Sequence, residues 1–283
     1  MPGVHLVLDA AALTEAGVTR GMSAVQMKMR DNSPAPLTRR PLLAEGKVRH
    51  VGEIIAMIVA ETLAQAKDAA ELIELEIDDL PAKLDLTPGG ETIHPEAPDN
   101  RAFDWGMGDK EATQAAFDAA ARTVSLDIGD NRIIVNSLEP RGAFAEWQDN
   151  RLHLSFGGQG VWGMKAQLAA KMGLSEDQVR VTNPDVGGGF GMKGMSYPEY
   201  FSVAQAARIL GRPVRWMADR TEAMLSDNGG RDLTSLAEMA FDADNRITAY
   251  RVRTKCNLGA YNSQFGQPIQ TMLFSRVLMG CYD

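Results

Sequence analysis

The sequence predicts an α+β protein: a small α/β module over residues 1–85, a linker over 86–112, and a larger mixed α/β domain over 113–283. Three observations carry this reading. In the first stretch, apolar runs of strand length alternate with alanine-rich segments that favour helix. Residues 86–112 gather Pro88-Gly89-Gly90, Pro95 and Pro98 among acidic residues, the composition of a solvated connection. Beyond them, short strand-like segments recur around two glycine-rich turns, Gly157-Gly158-Gln159-Gly160 and Gly187-Gly188-Gly189-Phe190-Gly191.

In the first module, residues 4–8 read as a strand and 9–13 as a small helix. Pro34, Pro36 and Pro41 force residues 30–41 into a loop, because proline lacks an N–H and clashes with a preceding helical turn. The continuous apolar run 54–60 suits a strand buried on both faces. Thr62 can cap a helix containing Ala64, Ala66, Ala69, Ala70 and Leu72. Residues 74–78 alternate polar and apolar, which predicts a half-exposed strand. The larger domain opens with an alanine-rich helix over 110–122. Strands are expected at 123–128, 132–137, 142–147 and 151–156, with Asp149-Asn150 turning a hairpin. A helix over 164–172 ends at Gly173, and another over 198–210 ends at Gly211, both glycines standing where a left-handed cap belongs. A β-like segment at 179–181 lies between the two glycine turns, 214–217 is a further strand, and 235–253 forms a hairpin around Asp242-Ala243-Asp244-Asn245.

Composition narrows the function classes. Hydrophobic content of 45% with 23% charged residues is that of a soluble globular chain. A net charge of −8 and pI near 5.1 argue against a nucleic-acid or anionic-membrane partner, since either needs a basic face. No apolar run reaches bilayer length, and residues 1–25 lack the layout of a signal peptide, so a cytoplasmic protein without a membrane span is expected. Cys256 and Cys281 make no disulfide framework and read as free thiols. His5, His50, His94 and His153 are scattered singly, without the spacing of a ligand set.

The run Asp185-Val186-Gly187-Gly188-Gly189-Phe190-Gly191-Met192-Lys193 makes a poor helix and a poor strand, because glycine adds ordering entropy and packs no side chain. Such backbone serves where φ is positive or where something must come close. Its bare N–H groups can cup an oxyanion or a metal-bound oxygen. At Gly189 a β-branched side chain is expected to meet both limits. The run lacks the GxxxxGK[ST] spacing of a phosphate loop, and no GxGxxG opens a helix after a strand. Lys193 is open between neutralising a phosphate or acidic charge and simple solvation. Glu139 and Arg141, flanking Pro140, read as a structural ion pair or turn-forming set, and Asp219-Arg220 as architecture too.

Glu139-Pro140-Arg141-Gly142, Gly158-Gln159-Gly160 and the 184–193 run, in this order, resemble the molybdenum-binding large subunit of the molybdenum hydroxylases. That family includes xanthine dehydrogenase, aldehyde oxidoreductase and aerobic carbon monoxide dehydrogenase. The separation of Gln159 from Phe190 is similar to the family's, and the likeness continues through Leu210-Gly211-Arg212-Pro213, Asp219-Arg220-Thr221-Glu222 and Asn257-Leu258-Gly259-Ala260-Tyr261. It is strongest to the carbon monoxide dehydrogenase-like, bacterial-type branch.

The resemblance implies a hammerhead-like first module and a first molybdopterin-binding domain after the linker, the one incomplete at its start and the other at its end. It implies a molybdopterin cofactor, in the cytosine dinucleotide form, with molybdenum held through the pterin and by no protein side chain. Gln159 resembles the glutamine whose amide reaches an oxygen on molybdenum. Phe190 resembles the phenylalanine whose N–H faces the site, and Gly188, Gly189 and Gly191 would let backbone approach the cofactor. Gly194 departs from the pattern: purine-oxidising relatives carry a glutamate there, so a purine substrate is disfavoured and carbon monoxide, an aldehyde or an N-heterocycle is left open. No catalytic residue is expected within this chain, because the family's general-base glutamate would follow Asp283.

Iron–sulfur clusters and FAD are expected on a small and a medium partner subunit. The remainder of the large subunit, or a second split half, is the further partner. The chain alone is expected to be inactive. The alternative is a non-catalytic assembly half of a split subunit.

Overall fold

A computed structural model describes residues 1–278; Cys281 lies outside them. Strand β1 (Val4–Leu8) leads into helix α1 (Ala10–Glu15), whose start is set by Asp9 accepting from the Ala12 N–H at 2.8 Å. Strand β2 (Met57–Ala60) pairs antiparallel with β1, and Thr62 opens helix α2 (Leu63–Ala70) through a reciprocal cap with Gln65. Helix α3 (Lys110–Asp118) is capped by Asp109 and precedes the long strand β3 (Arg122–Asp130). Strands β4 (Gly142–Gln148) and β5 (Arg151–Phe156) form a hairpin. Its turn residues Asp149 and Asn150 have φ of 50° and 58°, as a tight two-residue turn requires. Helix α4 (Trp162–Met172), strand β6 (Val179–Thr182), helix α5 (Pro198–Leu210), strand β7 (Val214–Met217) and helix α6 (Arg220–Ser226) follow. Strands β8 (Leu233–Phe241) and β9 (Ile247–Cys256) make the last hairpin.

These elements fall into two compact units. The first comprises Met1–Ala24, Arg39–Pro81 and Ile134–Asn228. It holds the β1–β2 pair and a sheet of order β6-β5-β4-β7, in which only β5–β6 is parallel. A parallel pair needs a long crossover, and α4 supplies it. Helix α5 fills the core against β4 and β5. It starts at Pro198, whose missing N–H costs nothing at a first helical position, and it is buried without interruption from Pro198 to Ala207. Leu152, Leu154 and Phe156 alternate inward along β5, and Tyr200 meets Phe156 edge-on at 5.2 Å. Each such large side chain contributes roughly 1.5–3 kcal/mol on burial. The second unit comprises Val25–Thr38, Ala82–Ile133 and the chain from Gly229 onward. Its antiparallel sheet has order β3-β8-β9, and Arg251 on β9 lies over the Phe117 ring of α3 at 4.2 Å while pairing with Glu238.

The α+β class and both glycine caps are present: Gly173 and Gly211 take φ of 64° and 58°. Three expectations fail. Residues 74–78 form no strand; they are exposed throughout, and among the described residues no neighbour supplies a ladder. Residues 132–137 contain only a bridge from Ile133 to Gly230. The apolar run 54–60 becomes a strand only at 57–60, where it is half-buried because one short partner covers it.

Candidate cofactor site

The parallel pairing of β5 with β6 sends both strands out at the same sheet edge, so the loops that follow them meet. In open α/β sheets such carboxyl ends are where ligands bind. Asn183, just past β6, ties the first turn down: its Nδ2 donates to the Gly158 carbonyl, and the Gly158 N–H donates back to Asn183 Oδ1 at 3.4 Å. The Gln159 N–H donates to the Lys193 carbonyl at 3.0 Å. The Gln159 side chain accepts the Gly191 N–H at 2.9 Å. Because an N–H can only donate, this contact fixes the carboxamide oxygen inward and leaves Nε2 as the end carrying donors. Gln159 itself is exposed. The structure therefore brings Gln159 together with the 188–191 run.

Within that run φ is positive at Gly188 (100°), Phe190 (50°) and Gly191 (88°). Gly189 is not among the positive-φ glycines, which corrects half of the expectation there. What demands glycine at 189 is space, since a Cβ would stand 2.6 Å from the Gln159 carboxamide. Phe190 is 78% exposed and bulky, so its left-handed backbone is strain held by its surroundings rather than by packing of its ring. Among the described residues, no protein acceptor meets the N–H groups of Gly188, Gly189 or Phe190. Three free backbone donors beside the Nε2 end of the Gln159 carboxamide, whose oxygen is taken by Gly191, form a neutral donor set. It suits oxygens on a cofactor-held metal, and glycine walls leave backbone close enough to reach them. In those respects the residues fit a molybdopterin group.

Beneath the turn lie charges the sequence did not place. Glu139 and Arg141 do not pair with each other. The Glu139 carboxylate accepts from Lys193 Nζ at 2.7 Å and from the Gly187 N–H at 2.8 Å. Of the readings left open for Lys193, the structure shows the neutralising one, toward the acidic charge of Glu139, and excludes solvation, since its side chain is 0% exposed. Burial pushes the Glu139 carboxyl up, but the Lys193 ammonium and the Gly187 N–H outweigh it and hold the group below its ordinary value. Arg141 is fully buried, donating to Asp227 at 2.5 Å and to Glu199 and Ser226 at 2.8 Å, with its guanidinium 3.8 Å over the Tyr197 ring. Burial pushes the Tyr197 hydroxyl up to about 12. That hydroxyl donates to the Met192 carbonyl at 3.1 Å, linking the same network to the glycine turn.

Asp219 caps α6, as its place in the sequence suggests, but Arg220 does more. Its guanidinium donates to Asn136 Oδ1 and to the Ser137 and Leu138 carbonyls at 2.6–2.8 Å, fixing the chain just before Glu139. Asn183, the partners of Arg220 and the buried state of Lys193 gave no local signal, because the groups they bind lie far away in sequence. Elsewhere, burial pushes the Cys256 thiol up to about 11, away from nucleophilic reactivity. His153 sits between Glu146 and Thr182. Among the described residues no cluster of three His, Cys, Asp or Glu side chains could hold a metal ion, and no helix is long and apolar enough to cross a membrane.

Comparison with known proteins gives the family of the chain. Residues 93–283 match the molybdopterin cofactor-binding domain family, and residues 1–81 the aldehyde oxidase and xanthine dehydrogenase a/b hammerhead domain. The chain belongs to the molybdenum hydroxylase large-subunit family. It is 33% identical, over 96% of its length, to the nicotine 6-hydroxylase large subunit of Paenarthrobacter nicotinovorans, and 30% identical, over 93%, to the carbon monoxide dehydrogenase large chain of Hydrogenophaga pseudoflava. Among solved structures, quinoline 2-oxidoreductase from Pseudomonas putida 86 superposes with a TM-score of 0.82 at 32% identity, covering 99% of this chain and 36% of that one. The chain spans about a third of the length of the curated relatives it matches: 33% and 34% for the two named.

Proposed function

We propose that this chain forms one wall of the molybdopterin site in the large subunit of a molybdenum-dependent hydroxylase or dehydrogenase. The observation that carries the reading is the donor set itself: the Gln159 carboxamide, locked by Gly191, beside the unpaired N–H groups of Gly188, Gly189 and Phe190. When bound, the molybdopterin group would supply a molybdenum centre that accepts two electrons as water-derived oxygen enters a substrate C–H bond, or as carbon monoxide is oxidised. The chain's own residues orient and hold. Gln159 and the turn donate hydrogen bonds without changing charge, and preorganised donors of this kind stabilise charge that develops on an oxygen. The substrate class is an aldehyde, carbon monoxide or an N-heterocycle. Relatives named for nicotine, quinoline and carbon monoxide support it, and Gly194 offers no side chain to a purine. The cytosine dinucleotide form of the cofactor, iron–sulfur and FAD partner subunits and a cytoplasmic location belong to the same proposal.

The test is Gln159→Ala in the assembled enzyme. Turnover should fall by the equivalent of about 2–4 kcal/mol, the scale of removing one oxyanion donor, while the urea midpoint moves little. Unchanged turnover with a small loss of stability would make Gln159 a strand-end residue and remove it from the site.

A further inference from the structure

We propose that Glu139 and Lys193 are positioning residues whose ion pair clasps the two ends of the 187–193 turn, and so holds the N–H groups of Gly188, Gly189 and Phe190 in their donor arrangement. The proposal rests on the cofactor reading of that turn, yet the clasp is a claim about the turn alone.

Gly187 opens the turn and Lys193 closes it. One carboxylate takes both ends, at 2.8 Å and 2.7 Å, and the Glu139 N–H adds a bond to the Gly187 carbonyl at 3.1 Å. Glycine at 187 is what lets Glu139 come so near, since a Cβ there would stand 2.5 Å from the Glu139 Cβ. An ammonium is costly to desolvate, and a solvated lysine would simply extend into water. The 0% exposure of the Lys193 side chain therefore marks a group held in place. The turn needs such holding. Three of its residues have positive φ, its bonds within itself are few and short-range, and strained backbone persists only where its surroundings over-determine it. Glu139 can impose that order because its own backbone is fixed. Arg220 binds the carbonyls just before it, Pro140 sets the next φ, and Arg141 is locked into the core.

The experiment uses the full-length large subunit in its assembled enzyme, and the same enzyme from a host that makes no molybdopterin. Two variants are compared with wild type: Lys193→Met, and Lys193→Met combined with Glu139→Ala, which leaves no unpaired buried charge. Gly211→Val, at the distant cap of α5, controls for general loss of stability. Hydrogen exchange by mass spectrometry reads the hydrogen-bonded 191–193 amides in the cofactor-free form, and molybdopterin content is measured per folded molecule in the other. In both variants the hydrogen-bonded amides of Gly191, Met192 and Lys193 should exchange at least about tenfold faster, while α5 keeps its protection. Molybdopterin content should fall with them, and Gly211→Val should move neither reading of the turn. Unchanged exchange at 191–193 in the double variant overturns the clasp. Faster exchange with unchanged molybdopterin content upholds the clasp and overturns the cofactor role of the turn.

Discussion

At Phe190 a bulky side chain sits at φ 50° with its ring mostly in solvent, so the strain there is not offset by burial of the ring. Such strain gathers at ligand sites, where backbone must point donors outward rather than satisfy them internally. Gly189 shows the companion constraint, a missing Cβ that gives the Gln159 carboxamide its place. Both lean on Glu139, and its ionisation makes a prediction. The carboxyl is held below its ordinary value of 4.5, so the folded state binds its proton less readily than the unfolded chain does. Stability from the pair is fully present above that ordinary value and is lost as pH falls through the lower folded value. The stability gap between wild type and Lys193→Met should stay constant from neutral pH to about 5, then close on further acidification. Urea melts at stepped pH would measure it, and a gap that already closes between pH 7 and 6 would contradict the assignment.

Arg141 joins three elements: it precedes β4, and its partners Glu199 and Asp227 lie on α5 and just past α6. With all three side chains nearly buried, its replacement strands two carboxylates in the core. Arg141→Met should therefore destabilise by about 3–5 kcal/mol, the usual cost of breaking a buried ion pair by removing one partner. A urea-denaturation change below about 1 kcal/mol would mean that water reaches the carboxylates and the site is not closed. Helix α5 was legible to the residue because proline at its start and glycine at its end bracket it, and β5 because its period-two pattern faces a real core. Residues 74–78 carry an equally clean alternation and form no strand. Period two describes a side-chain pattern, whereas a strand also needs a hydrogen-bonding neighbour, which sequence cannot supply. The same limit hid the clasp. The glycine turn and Gln159 were visible as composition, but Lys193 finds Glu139 across 54 positions, and sequence offered Arg141 as the nearer charge.

Across the whole chain the two units carry their apolar surface differently. The first buries α5 and the inward rows of β4 and β5, while the second leaves β3 open. Val124, Leu126 and Ile128, at 51%, 61% and 44% exposure, share one face of β3 because strand side chains alternate. Among the described residues the strand pairs only with β8 and is an edge of its sheet, so a row of backbone donors and acceptors lies beside that apolar stripe. Exposed edges of this kind invite edge-to-edge association, and the net charge of −8 opposes it only diffusely. The 283-residue chain should therefore self-associate as its concentration rises, and Leu126→Lys with Ile128→Thr should suppress this by placing charge and polarity on the stripe. Because neither side chain is buried, the pair should leave the urea midpoint within about 0.5 kcal/mol of wild type, the range of ordinary surface changes. Sedimentation velocity across a concentration series, beside the melts, distinguishes the outcomes. Suppressed association at unchanged stability supports an open β3 face. A loss of about 1–3 kcal/mol would show that these side chains are packed away from water, and the face would then be part of a closed core.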